Sequence, residues 1–104
     1  GATFVLVWTV AALVGSVVWN VDYRTVAGND AASLDQAGTE EALTATSVVA
    51  ATVFNRLETS LAATAANFAA DDEVEYVVRR DADNVADTGN DAYIFAVLFQ
   101  YTDA

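Results

Sequence analysis

Hydrophobic and polar residues are unevenly distributed along this chain. Residues 2–21 contain no charged side chain, and the stretch ATFVLVWTVAALVGSVVW at positions 2–19 is mainly apolar. A run of this length is close to the minimum for a helix that spans about 30 Å of hydrocarbon at about 1.5 Å per residue. Trp19 and Tyr23 then stand where interfacial aromatic residues are expected. The pattern therefore favours a hydrophobic N-terminal helix.

The same run also fits two buried β-strands. Val5 and Val7 are β-branched, as are many residues in the second half of the run, and Gly15 and Ser16 could form a hairpin turn. Hydrophobic periodicity does not distinguish a helix from strands when every position is apolar. We favour the helix because the charge-free stretch is continuous, and a buried β-hairpin over residues 3–26 is the alternative.

The middle of the chain predicts a linker over residues 27–38, followed by one long amphipathic helix over residues 39–70. Thr39 is a suitable N-cap, and Glu40 and Glu41 would lie in the first turn, where acidic side chains favour the positive end of a helix. Apolar residues follow at close to helical spacing. They are Leu43, Val49, Val53, Phe54, Leu57, Leu61 and Phe68.

The C-terminal third predicts two strands, EVEYVVRR at 73–80 and AYIFAVLFQY at 92–101, joined as an antiparallel hairpin. The second strand is apolar on both faces, so we expect it to be buried. The predicted fold class is α+β, with a hydrophobic N-terminal helix, a long amphipathic helix and a C-terminal antiparallel β-hairpin. Residues 1–26 form a hydrophobic N-terminal arm, and residues 27–104 form a small acidic α+β head domain.

The charge balance is strongly acidic. The 104 residues include 15 Asp and Glu against 4 basic residues, all of them Arg, and the net charge is −11. Such a surface repels nucleic acid, so we expect no nucleic-acid partner. Self-repulsion of this size is tolerated best in concentrated salt, where the Debye length falls to about 3 Å at 1 M. The composition therefore predicts a halophilic source.

Few side chains are suited to catalysis. The chain contains no His or Cys, and it contains no Lys to activate a Ser or Thr nucleophile. The carboxylate pairs Asp71–Asp72 and Glu73–Glu75 could in principle serve as acid and base, but we expect them to be solvated surface groups. We predict that the protein is not an enzyme, with no catalytic, cofactor-binding or metal-ligating residue.

The loop Asp81–Asp91 carries the densest group of side-chain oxygens, in the sequence DADNVADTGND. Hard cations such as Ca²⁺ bind oxygens of this kind, although Val85 stands where an EF-hand loop would place a ligand. We expect an acidic turn, with Arg79 and Arg80 as local counter-charges, and we leave a bound cation open. Four aromatic residues alternate along the last strand and predict a core or intersubunit contact. They are Tyr93, Phe95, Phe99 and Tyr101.

The stretch GATFVLVWTVAALVGSVVW at the start of a chain without Met resembles the N-terminus of type IV pilin-like subunits, of the archaeal or Tad type. The resemblance covers only about the first twenty residues. It implies a processed leader, a membrane anchor before assembly, and a filament held together by N-terminal helices. The function expected is an extracellular or cell-surface structural subunit that associates with itself into a homopolymer.

Two other functions remain open. One is a coat or tail protein of a halophilic virus, whose apolar segment would insert into a membrane or a capsid shell. The other is a soluble α+β binding domain that buries residues 3–26 as a hairpin.

Overall fold

The structure is a computed structural model that describes residues 1–26, 39–48, 53–70 and 72–102. The predicted linker at 27–38 lies outside the described residues. Six strands and one short 3₁₀ turn, at Ala65–Asn67, make up the secondary structure of the described chain. The strands are β1 (Ala2–Val10), β2 (Ser16–Val26), β3 (Glu41–Val48), β4 (Leu57–Ala63), β5 (Glu73–Arg80) and β6 (Ala92–Tyr101).

The strands form two antiparallel sheets of three strands each, which pack face to face. Sheet A has the order β4-β1-β6, and sheet B has the order β3-β2-β5. The first two strands along the chain are therefore the central strands of the two sheets. The pairing of β1 joins distant parts of the chain, since Ala2 lies opposite both Ala63 and Tyr101.

The predicted N-terminal helix is wrong, because its residues form β1 and β2. In the described part of the chain, no helix combines the length and apolarity needed to cross a bilayer. A central strand has neighbours on both sides, and here both of its faces are largely covered, so it can be apolar without alternation. β-Branched residues such as Val5 and Val17 suit this conformation. The alternative hairpin does not form either, since β1 and β2 pair within different sheets.

The core lies between the two sheets and is built mainly from the leading residues. Phe4 contacts Tyr23 across the sandwich, with ring centroids 5.5 Å apart, and Trp8 contacts Trp19 edge-on at 5.6 Å. The indole N–H of Trp8 donates to the Thr59 hydroxyl at 2.9 Å, which satisfies a buried polar group. The parts of the uncharged N-terminal stretch that form β1 and β2 are therefore buried within the folded chain itself, while Leu13 and Val14 between them are exposed.

The predicted helix over residues 39–70 is also wrong, so the α+β fold class does not hold. The described part of this segment contains β3, β4 and the 3₁₀ turn, and residues 49–52 lie outside the described residues. Leu57 and Leu61 both point into the core, and Glu58 and Ser60, which lie between them in the sequence, are exposed. A spacing of four residues fits both a helix and a strand, because it is close to one helical turn and also two strand repeats.

The predicted bounds of the last two strands are confirmed, but their pairing and environment are not. β5 belongs to sheet B and β6 to sheet A, so they form no hairpin. β6 is an edge strand rather than a buried one, and each of its ten residues is exposed or half-buried. The sequence predicted that this apolar strand is buried, but its side chains lie at an exposed edge of the sheet.

The packing of Phe4 provides a test of this architecture. Phe4 is fully buried and contacts the rings of Tyr23 and Phe99. We expect Phe4→Ala to lower the free energy of unfolding by roughly 3–5 kcal/mol, because it leaves a cavity between the sheets. The matched control is Phe54→Ala, at a ring that is 68% exposed, which should cost within about 0.5 kcal/mol. Equal effects in chemical denaturation would contradict the sandwich.

Candidate functional site

Asp87 holds the loop between β5 and β6 in place, through an ion pair with Arg80 of β5 and a hydrogen bond from β2. Arg80 donates from Nε and Nη2 to the two carboxylate oxygens of Asp87, at 2.9 and 2.7 Å. Asp87 Oδ2 also accepts the backbone N–H of Val18 at 3.0 Å. The Asp87 side chain is only 3% exposed, so its negative charge depends on these donors.

Backbone hydrogen bonds complete this attachment. Arg80 donates from Nη1 and Nη2 to the carbonyl oxygens of Asn90 and Gly89, at 2.6 and 2.9 Å. The N–H groups of Thr88 and Gly89 both donate to the carbonyl oxygen of Ser16 at 2.9 Å. The loop is therefore an integral part of the sandwich, held at the start of β2.

The ion pair fixes the charge of both partners. Hydrogen bonds from Arg80 lower the pKa of Asp87, and the N–H of Val18 acts in the same direction, while burial opposes the shift. The hydrogen bond to Asp87 in turn raises the pKa of Arg80. Both groups stay ionised at neutral pH, and this gives the pair a structural role.

This geometry bears on the candidate cation loop. Asp87 is already bound by Arg80, and the amide oxygen of Asn84 accepts the N–H of Ala86 at 2.9 Å. Across the described ranges, no three acidic side chains converge in a way that could hold a metal ion. Arg80 acts as a local counter-charge, as predicted, but Arg79 instead pairs with Asp22 on β2 at 3.0 Å.

The candidate carboxylate pairs are not brought together as an acid and base. Asp71 lies outside the described residues, and Asp72 accepts the N–H of Ala69 at 2.8 Å. Glu75 is bound by Arg24 at 2.9 Å, and Glu73 is exposed at the start of β5. Asp72 and Glu75 thus bind nearby donors, as expected of structural or surface groups.

A polar strip that the sequence analysis did not assign crosses the outer face of sheet B. Asn20, Asp22 and Arg24 alternate along β2, and the ion pairs Asp22–Arg79 and Arg24–Glu75 join them to β5. A shallow pocket of about 290 Å³ lies beside these pairs. Polar alternation within β2 was the available signal for this strip.

A second polar cluster ties together the far end of β2. The Tyr23 hydroxyl donates to Glu41 at 2.6 Å and accepts from the Asn67 amide at 3.0 Å. Burial and the hydrogen bond to Glu41 raise the pKa of Tyr23 to about 12. The same hydrogen bond, with one from the N–H of Thr64, lowers the pKa of Glu41. These hydrogen bonds join β2, β3 and the 3₁₀ turn, so the cluster has a structural role.

The aromatic stripe on β6 is divided by a β-bulge. The register between β1 and β6 shifts at Val7 and Trp8, and Phe95 is the extra residue there. Tyr93 lies on the outer face, while Phe99 faces the core opposite Phe4. Phe95 is 72% exposed. The predicted core contact is thus correct only for part of the stripe.

The exposed edge of β6 is the most distinctive surface of the described chain. The strand has ten residues and no charged side chain, although the whole chain carries a net charge of −11. Its large apolar side chains are between 37% and 72% exposed. They are Tyr93, Ile94, Phe95, Leu98, Phe99 and Tyr101. A long, apolar, uncharged edge is a template for pairing with another strand.

Comparison with protein-family models, curated protein sequences and solved structures found no match to this chain.

The Asp87 ion pair predicts a specific acid sensitivity. Because the folded pKa of Asp87 lies below its unfolded value, the pair stabilises the fold above about pH 4, and this contribution is lost as the pH falls through the folded pKa. We expect Asp87→Asn to lower the free energy of unfolding by roughly 3 kcal/mol at neutral pH, because it leaves Arg80 without its counter-charge.

The difference between Asp87→Asn and the unaltered chain should shrink as the pH is lowered to about 3. Chemical denaturation across this pH range measures it. The matched control is Asp83→Asn in the same loop, where the side chain is exposed and the change should stay within about 0.5 kcal/mol. A pH-independent gap, or an equal effect at Asp83, would contradict a structural ion pair.

Proposed function

We propose that this chain is a non-enzymatic structural subunit of a salt-adapted extracellular or cell-surface assembly, and that subunits meet along the uncharged edge of β6. The observation that carries the proposal is the distribution of charge over the four edge strands. Glu41 lies on β3, Glu58 on β4, and four charged residues lie on β5, whereas β6 has none. Among the described strands, only β6 presents an edge that another acidic subunit can approach without bringing charged side chains of the two edges together.

The proposal keeps the role of self-associating subunit that the pilin resemblance implies, but it moves the contact surface. Phe4 and Trp19 are at most 5% exposed and pack inside the chain's own core. They have no surface left to offer a neighbouring subunit. The exposed, uncharged edge of β6 takes over the role of contact surface.

Concentrated salt supports this kind of assembly in two ways. It screens the repulsion between subunits of net charge −11, since the Debye length falls from about 10 Å at 0.1 M to about 3 Å at 1 M. Strongly hydrated anions such as sulfate also strengthen the burial of apolar surface. We therefore expect an acidic chain with one apolar edge to stay dispersed at low salt concentration and to associate as the salt concentration rises.

The proposal predicts salt-dependent association. We expect sedimentation velocity to give a monomer at about 0.1 M salt and associated species, dimers or larger, at about 1 M. Chloride and sulfate at equal ionic strength form the control, because both screen charge but sulfate should promote association more strongly. A monomer at every salt and protein concentration would overturn the proposal.

A further inference from the structure

We propose that β6 pairs antiparallel with β6 of a second copy of this chain, about a two-fold axis at Phe99. The two copies of sheet A would then join into one sheet of six strands. This inference rests on the proposed function and names the partner that occupies the β6 edge.

The backbone of β6 alternates between groups used by β1 and groups that point outward. Gly1 and Thr102 exchange both backbone hydrogen bonds, since Thr102 N–H donates to Gly1 at 2.8 Å and the Gly1 ammonium donates back at 3.1 Å. In an antiparallel ladder such pairs alternate with pairs that exchange none. The N–H and C=O groups of Tyr101, Phe99 and Val97 therefore point away from β1. In the described chain no further strand pairs with them, because β6 ends the order of sheet A.

The bulge at Phe95 selects the register of the contact. Residues 96–102 follow the bulge and continue in regular register along β1. A two-fold axis at Phe99 places Val97 opposite Tyr101 of the second copy, so that all three outward-pointing residues pair with outward-pointing residues. Three such pairs give six intermolecular backbone hydrogen bonds by geometry alone. The bulge itself stays outside the paired segment.

The charges of the two copies favour this edge over any other. On the outer face, Leu98 would lie opposite Gln100 of the second copy, and neither residue is charged. A self-contact through the opposite edge of sheet A would instead bring Glu58 of the two copies to one interface. Like charges directly across a strand pair are destabilising. In a chain of net charge −11, the uncharged edge is therefore the one suited to self-pairing.

The apolar surface available is small. The large side chains within the paired segment, Leu98, Phe99 and Tyr101, leave roughly 250 Å² exposed, taking about 200 Å² for a whole side chain. A standard interface buries about 800 Å² per partner. The pairing should therefore be reversible and should depend on protein concentration. A two-fold contact also closes on itself, so it produces a dimer with no unpaired β6 edge.

The test compares two substitutions on opposite edges of sheet A. Leu98 on β6 and Ser60 on β4 both flank Val5 on the outer face, and both side chains are exposed. We expect Leu98→Lys to raise the dimer dissociation constant at least about tenfold at about 1 M salt, because a Lys on an edge strand opposes pairing. Ser60→Lys makes the same change of charge beside the same Val5, and it should leave the constant within about twofold.

Amide hydrogen exchange gives a second measurement that needs no substitution. Raising the concentration of the unaltered chain should slow exchange at Val97, Phe99 and Tyr101, because their N–H groups become bonded across the two-fold axis. The N–H of Ser60, which points outward from β4 by the same alternation, should not change. Sedimentation velocity is recorded on the same samples to relate exchange to dimer population.

The outcomes separate this inference from the proposed function. Slowed exchange at the three amides, with the expected difference between Leu98→Lys and Ser60→Lys, supports both. Association that neither substitution weakens, with free exchange at the three amides, overturns the β6 pairing and leaves the structural subunit in place. A chain that stays monomeric at all salt and protein concentrations overturns both.

Discussion

Burial of the uncharged N-terminal residues at the middle of both sheets is the constraint on which the rest of the structure depends. β1 and β2 each have a strand on either side, and the rings of Phe4 and Trp8 meet Tyr23 and Trp19 between the sheets. Apolar burial of this kind is the main favourable contribution to folding, at roughly 25 cal/mol per Å². The other described strands, which carry most of the acidic residues of the two sheets, pack around these two strands. The burial of apolar surface that results offsets the repulsion between the acidic side chains.

Charges that lie close to the core are paired, and they hold the periphery to the central strands. Asp87 is fixed by Arg80 and by the N–H of Val18, while Asp22 and Arg24 bind the side chains of β5. Two of the four arginines, Arg24 and Arg79, join β2 to β5, and Arg80 holds the loop that follows β5 through Asp87. The edge strand β6 differs from the other described edge strands in carrying no charged side chain.

The sequence predicted some elements well and others poorly, for identifiable reasons. The bounds of β5 and β6 were correct, since Val74, Tyr76 and Val78 share one face of an alternating strand and a polar loop precedes the last strand. A charge-free N-terminal run carries no periodicity, so a strand could not be distinguished from a helix. Leu57 and Leu61 fit both periods. The role of β6 was missed because an apolar sequence fits both a central strand and an edge strand. The two differ in the number of neighbouring strands, and among the described strands β6 pairs with β1 alone.

The pairing of Ala2 with Tyr101 has a consequence for how the chain reaches its folded state. β1 precedes β6 along the chain, so it acquires one of its two neighbouring strands only when β6 has been synthesised. Closing loops of almost the full chain length is slow, so a high contact order places folding on the millisecond-to-second scale. During translation β1 is exposed before its partner strands have been made. A nascent chain that has not reached β6 leaves one edge of β1 unpaired. An apolar strand exposed in this way is prone to aggregate until its partner strand is available.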